Sequence, residues 1–148
     1  MPTWSPDGRQ IVFQSKRNGV GDLFIMNDDG TGLEQITTTS EREGHVSWSM
    51  DDRLVYNMTV AGNYQLFSSG LDGGDRRTLT NSAVDEWSPE WSPDGKHILF
   101  LSERDTEDGG IYVMDADGGN VRPIHNSPAE DWGAAWAADG APIVFSGT

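Results

Sequence analysis

The sequence predicts an all-β fold: a β-propeller segment with three complete four-stranded blades plus a two-stranded partial fourth blade, in one domain over residues 1–148. Three observations carry this expectation. Trp4-Ser5-Pro6-Asp7-Gly8 returns as Trp91-Ser92-Pro93-Asp94-Gly95, with weaker copies at Trp48-Ser49-Met50-Asp51-Asp52 and Trp136-Ala137-Ala138-Asp139-Gly140. The four tryptophans stand 44, 43 and 45 residues apart, the period of a blade of about 40–45 residues. No stretch keeps a 3.6-residue apolar period, so no helix is expected.

Each unit opens on the tryptophan turn. Pro6 and Pro93 fix φ near about −65° at the second turn position, and Gly8, Gly95 and Gly140 tolerate positive φ. Asp7 and Asp94 are placed to bond neighbouring backbone N–H groups. The repeated tryptophan reads as a packing residue between adjacent sheets, since an indole buries a large area and needs one partner for its N–H. A β-rich run comes next: Ile11-Val12-Phe13, Leu54-Val55-Tyr56, Ile98-Leu99-Phe100 and Ile143-Val144-Phe145. A second strand is expected at Leu23–Met26, Leu66-Phe67 and Ile111–Met114. Acidic glycine turns end it at Asp28-Asp29-Gly30, Asp72-Gly73-Gly74 and Asp117-Gly118-Gly119. An outer strand is expected near Ile36-Thr37, Leu79-Thr80 and Ile124-His125. All these runs are β-branched or aromatic and bounded by Gly, Pro, Asp or Asn. The blades fall at about residues 2–44, 45–87 and 88–132, with a partial blade at 133–146. Propellers close with about 4–8 blades. The segment is therefore expected to belong to a larger propeller or to associate with further copies of itself, rather than to close alone as a small ring.

Composition narrows the function. Hydrophobic residues make up 35% and there are 18 glycines, a globular balance. There is no cysteine, which excludes disulfide scaffolds and thiolate metal sites. No apolar run approaches the roughly 18 residues of a membrane-spanning helix, so no membrane insertion is expected. Met1-Pro2-Thr3-Trp4 shows no secretory signal pattern. With 24 acidic against 10 basic residues, the net charge is −14. Such a surface repels phosphate backbones, so no nucleic-acid partner is expected.

The tryptophan turn and the strands after it resemble the TolB-like β-propeller repeats. The resemblance rests on Trp-Ser-Pro-Asp-Gly, an apolar strand, then Ser15-Lys16-Arg17-Asn18 or Ser102-Glu103-Arg104-Asp105. It continues in Ile111-Tyr112-Val113-Met114-Asp115-Ala116-Asp117-Gly118. It covers essentially the whole chain. The second repeat departs from it, with Asn57-Met58-Thr59-Val60 in place of Ser-x-Arg and Met50 in place of proline. The resemblance implies a non-enzymatic interaction or scaffold module with protein or peptide partners, in the periplasm or outside the cell. Proteins of this kind work with envelope proteins, including a peptidoglycan-associated lipoprotein. The matches fall on scaffold residues, so that partner does not carry over. Similar repeats also gate prolyl-oligopeptidase-like serine hydrolases, which makes a gating fragment the alternative, and a self-assembling ring of several chains a third.

Catalytic patterns are missing. There is no Gly-x-Ser-x-Gly elbow, His-Glu-x-x-His or phosphate-binding glycine loop, and the chain is expected not to be an enzyme. His45, His97 and His125 fall at three different places in the repeat, so a three-histidine metal site is not expected. Asn57-Met58-Thr59 matches a glycosylation sequon and reads as chance. The acidic pairs in turns read as local backbone caps.

One column stands apart. Five residues before each repeat tryptophan stand Glu43, Glu86 and Asp131; four before stand Gly44, Trp87 and Trp132. These positions fall where the chain crosses from one blade to the next, and the resemblance implies that this crossing lies at one mouth of a central channel. The acids have two readings: each bonds its own crossing loop or an arginine, or together they form a partial acidic ring. In the second reading calcium is the metal such a ring takes, because it accepts loosely arranged oxygens, and a Lys- or Arg-bearing peptide is the other ligand. Trp87 and Trp132 are either inter-blade packing or binding anchors. His45 stands beside the same mouth.

Overall fold

The structure is a computed structural model, and it describes residues 2–105, 109–125, 131–138, 140 and 143–147. The first blade is one antiparallel sheet of β1 (Thr3–Trp4), β2 (Gln10–Ser15), β3 (Asp22–Asn27) and β4 (Glu34–Gln35). The second contains β5 (Glu43–Trp48), β6 (Arg53–Val60), β7 (Asn63–Gly70) and β8 (Arg77–Thr78). The third contains β9 (Glu86–Trp91), β10 (His97–Ser102), β11 (Gly110–Asp115) and β12 (Arg122–His125). A two-stranded sheet of β13 (Asp131–Trp136) and β14 (Ile143–Gly147) completes the chain order. No helix occurs among the described residues, as the missing 3.6-residue period predicts.

The tryptophan turn does what its residues dictate. Ser5 Oγ donates to Asp7 Oδ1 at 2.6 Å, and Arg9 N–H donates to the same oxygen at 3.1 Å. The third blade repeats this with Ser92 Oγ to Asp94 at 2.7 Å and Lys96 N–H at 3.1 Å. The Ser5 hydroxyl and the Arg9 N–H hold the Asp7 carboxyl below its ordinary pKa, and Ser92 and Lys96 N–H do the same for Asp94. In the second blade Asp52 replaces the glycine, takes φ 56° and accepts from Trp48 Nε1 at 3.1 Å.

Blades pack face against face. Val12, Leu23, Ile25 and Ile36 of the first meet Trp48, Leu54, Tyr56, Met58 and Phe67 of the second. Val55, Leu66 and Leu79 of the second meet Trp91, Ile98, Phe100, Tyr112 and Met114 of the third. Leu99, Leu101, Ile111 and Val113 then meet Trp136, Ala134 and Ile143. The glycine turns seal these contacts. A Cβ on Gly73 would stand 2.2 Å from the Ile36 carbonyl oxygen, and one on Gly118 2.7 Å from that of Leu79.

Two expectations need correction. β4 and β8 end just before Ile36-Thr37 and Leu79-Thr80, which lie outside the outer strands; only in the third blade does β12 include Ile124-His125. The chain turns inward there: Ile36 and Thr37 N–H both donate to the Leu23 carbonyl, and Thr37 Oγ1 accepts from Leu23 N–H at 2.9 Å. Leu79, Thr80 and Leu66 repeat the pattern. The tryptophan column is also not uniform. Trp48 and Trp91 are 8% and 7% exposed, but Trp4 is 56% exposed. Among the described residues no sheet lies against the face of the first blade that carries it.

Candidate functional site

The inner strands β5 and β9 begin at Glu43 and Glu86 themselves. Directly after, the ladders slip: the β5–β6 register shifts between Gly44 and Ser47, and the β9–β10 register between Leu99 and Leu101. The third residue before each tryptophan takes the left-handed region, His45 at φ 44° and Ser88 at φ 51°. A bulge of this kind re-aims side chains at a sheet end. Here it brings His45 Nδ1 within 2.9 Å of Ser88 Oγ and joins the second blade to the third.

Beside this link lies a cleft of about 250 Å³. Gln14 and Asn57 form part of its wall, Arg42, His45 and Trp87 another part, and Asp85 and Glu103 add negative charge. Asp85 Oδ1 accepts from Tyr64 N–H at 2.7 Å, which holds that carboxylate in place. Enclosure by the cleft, with the charge of Arg42 adding to it, holds the His45 imidazole below its ordinary pKa even though its edge is exposed. Asn57 is buried, and among the described residues neither its Oδ1 nor the buried Gln14 Nε2 has a hydrogen-bond partner. The burial of Asn57 also agrees with reading its sequon as chance.

The two described acids of the expected ring do not stand as open ligands. Glu43 and Glu86 are both 0% exposed. Thr37 Oγ1 donates to Glu43 at 3.2 Å and Thr39 Oγ1 donates to its other oxygen. Burial pushes the Glu43 pKa up, the nearby Asp22 charge adds to the rise, and the two threonines oppose it. Glu86 pairs with the Arg104 guanidinium and accepts from Ser102 Oγ at 3.4 Å. Each acid thus ties its own strand entry to neighbouring side chains. Among the described residues no group of three or more His, Cys, Asp or Glu could hold a metal ion. Both carboxylates are buried on protein partners, the arrangement of the first reading, in which each acid bonds its own crossing loop or an arginine. The side chains of Asp131 and Trp132 lie outside the described residues.

Of the expected site residues, the structure brings His45, Trp87 and the backbone around Glu43 to one cleft. Trp87 packs on the third-blade cluster and is half-buried at the cleft wall. Gln14, Asn57, Tyr64, Asp85 and Glu103 were not anticipated. A signal existed for the first two. The residue after the apolar run is Gln14 and Asn57 in two blades and Leu101 in the third, and a carboxamide where a leucine packs is out of pattern.

Stacked four-stranded antiparallel sheets with a tryptophan turn opening each unit define a β-propeller repeat protein. The family model for the TolB beta propeller domain matches residues 1–108, and the chain belongs to that family. A TolB homolog of Chlorobium luteolum is 34% identical over 107 residues, which is 70% of this chain and 23% of that protein. Dipeptidyl-peptidase 5 of Porphyromonas endodontalis is 28% identical over 106 residues, 67% of this chain and 15% of that protein. The crystal structure of TolB from Acinetobacter baumannii superposes with a TM-score of 0.85 at 26% identity, covering 97% of this chain and 36% of the other. The chain thus spans well under half of each of these relatives. No helix among the described residues is long and apolar enough to cross a membrane.

Proposed function

We propose that the chain is a non-enzymatic interaction module that binds an extended protein or peptide segment across the cleft beside His45 and Trp87. The observation that supports it is the pair of carboxamides, Gln14 and Asn57, whose buried Nε2 and Oδ1 have no partner in the cleft wall. An extended backbone offers the carbonyl and N–H that such groups pair with. Trp87 supplies an aromatic surface, and Asp85 with Glu103 favours a Lys- or Arg-bearing segment. The test is calorimetric titration with a Lys-bearing extended peptide. Trp87→Ala and His45→Ala are each expected to weaken binding about tenfold. Variants that bind as wild type remove the cleft as the site.

The TolB relatives support a periplasmic or extracellular location for the whole protein, which fractionation tests. Association with further copies is the third reading of the repeat count. Light scattering against concentration checks it: a monodisperse monomer at high concentration removes it. The second reading, a gating propeller in a serine hydrolase, is supported by the likeness to dipeptidyl-peptidase 5. Labelling of the full-length protein by a serine-reactive fluorophosphonate would favour it over the interaction module.

A further inference from the structure

We propose that the groove between the turn ends of the first and second blades binds an extended basic segment of a partner protein, with one apolar side chain of that segment seated on Met50 and Leu71. Two departures of the second repeat meet there. Met50 stands where the first and third repeats have Pro6 and Pro93. The turn that carries it is one residue shorter, since Trp48 pairs with Leu54 where Trp4 pairs with Ile11 and Trp91 with Ile98. Leu71 stands where the other acidic glycine turns have Asp28 and Ala116. The alignment is fixed by a shared turn bond: Asn27, Gly70 and Asp115 N–H donate to the carbonyls of Thr31, Gly74 and Gly119.

Both departures line one groove of about 300 Å³, together with Pro6 and Trp48. Met50 is 65% exposed, while Leu71 is half-buried and packs on the core between the first two blades. A methionine side chain bends to fit an irregular apolar group laid against it. A second groove of about 400 Å³ shares Gln10 and Leu71 with the first and leads on past Ile25 to Gly32 and Glu34. The two together give a path for an extended chain. Their walls set its charge. Asp7, Asp52, Asp72 and Glu34 line them, and no Lys, Arg or His does among the described residues. Asp52 is held by the Trp48 Nε1–H, and Asp72 by the Gly74 N–H at 2.9 Å. Arg9 stands 3.9 Å from Asp7 but is 83% exposed, and so loose a surface pair compensates little of the acidic charge. The next junction, between the second and third blades, has Arg53, Pro93, Gly95 and Ala116 at the places of Gln10, Met50, Asp52 and Leu71. Its walls are less acidic and its apolar seat is smaller. Complementary charge selects the partner and its register, and the apolar seat adds the buried contact. β5 runs from Glu43 at the cleft to Trp48 at this groove, so the two sites stand at opposite ends of one strand.

The test uses the 148-residue chain and an acetylated, amidated pentapeptide, Lys-Ser-Leu-Ser-Lys. The readout is the methyl resonances of Met50 and Leu71. The peptide is expected to shift both saturably, and Glu-Ser-Leu-Ser-Glu to shift neither. Lys-Ser-Ser-Ser-Lys is expected to bind at least about tenfold more weakly, and so is the parent peptide to Met50→Gln, read at Leu71. Glu34→Gln combined with Asp72→Asn should lose as much, and added salt should weaken the wild-type complex. Trp87→Ala, in the cleft, should leave the two shifts unchanged. Met50 is exposed, and an unchanged amide spectrum in Met50→Gln shows that the fold persists. Unmoved methyls, equal binding of the basic and acidic peptides, or unaltered affinity in Met50→Gln or in the double acid variant overturns the proposal. Binding that survives Met50→Gln but is lost in Trp87→Ala also overturns it, and places the peptide in the cleft. Methyl shifts that grow with protein concentration in the absence of peptide overturn it too, and give the groove to a second copy of the chain.

Discussion

The first and third blades carry the same motif and build the same turn, yet differ in what covers them. Their turn hydrogen bonds agree within 0.1 Å, 2.6 against 2.7 Å from serine to aspartate and 3.1 Å to the next backbone N–H in both. Trp4 and Trp91, however, differ from 56% exposed to 7% exposed. Local geometry is set by residues a few positions apart. Burial is set by a neighbouring sheet that the repeat itself does not contain. Among the described residues the first blade therefore shows uncovered the face that the third uses to hold the second.

The largest break in this comparison comes from the ring column. Phe100→Ala removes a fully buried ring and is expected to cost about 3–5 kcal/mol in chemical denaturation. Phe13→Ala, half-buried on the open face, should cost under about half of that. Equal costs would mean that the first blade is covered in solution.

The ring-stacked arginines come next. Arg104→Met leaves the buried Glu86 carboxylate without its counter-charge and is expected to cost about 3 kcal/mol. Glu86→Leu combined with Arg104→Met should recover most of that loss. Arg17→Met, at the surface, should stay within about 0.5 kcal/mol.

The glycine turns sharpen the contrast at a smaller scale. Gly30 and Gly73 share positive φ, at 84° and 75°, so alanine strains both by about 1–2 kcal/mol. Only at Gly73 would the new Cβ strike the Ile36 carbonyl of the preceding blade. Gly73→Ala should therefore cost at least about 1 kcal/mol more than Gly30→Ala.

The smallest effect is the pH dependence of Glu43. Its pKa is raised in the folded state by burial. The folded protein therefore holds this proton more tightly than the unfolded chain, and stability from this group falls as pH rises above 4.5, its ordinary value. Asp7, Asp29, Asp75 and Asp94 act oppositely, since their lowered pKa values make stability fall as pH drops through and below 3.8. Denaturation of wild type and Glu43→Gln across this range checks the sign: the variant should show a smaller decline above pH 4.5, because the Glu90 carboxyl, also raised by burial, keeps its share, and should keep the acid one.

Most of the fold was legible because its signals are local and repeated. The tryptophan turn, the apolar run and the acidic glycine turn each specify backbone geometry within a few residues, and three copies in register leave little freedom. The first two outer strands were misplaced by about two residues because Thr37 and Thr80 end them with side-chain bonds to β3 and β7, chemistry that a propensity pattern does not display. The candidate site was less legible. Its acids looked alike in sequence, but Glu43 meets threonines of the incoming loop and Glu86 meets an arginine 18 residues further on. The difference traces to Val60 standing where the other blades have Arg17 and Arg104.

The sequence alone determined the class of fold, the period, the turns and the residues of each packed column, because those depend on contacts within a unit of about 43 residues or on its repetition. The tertiary structure decided which members of a column are covered, how each carboxylate is neutralised, and that Gln14 and Asn57 share one cleft wall with Trp87. The physical reason is that burial, pairing and cleft shape are properties of two sheets in contact, and the partner of each face lies in another repeat.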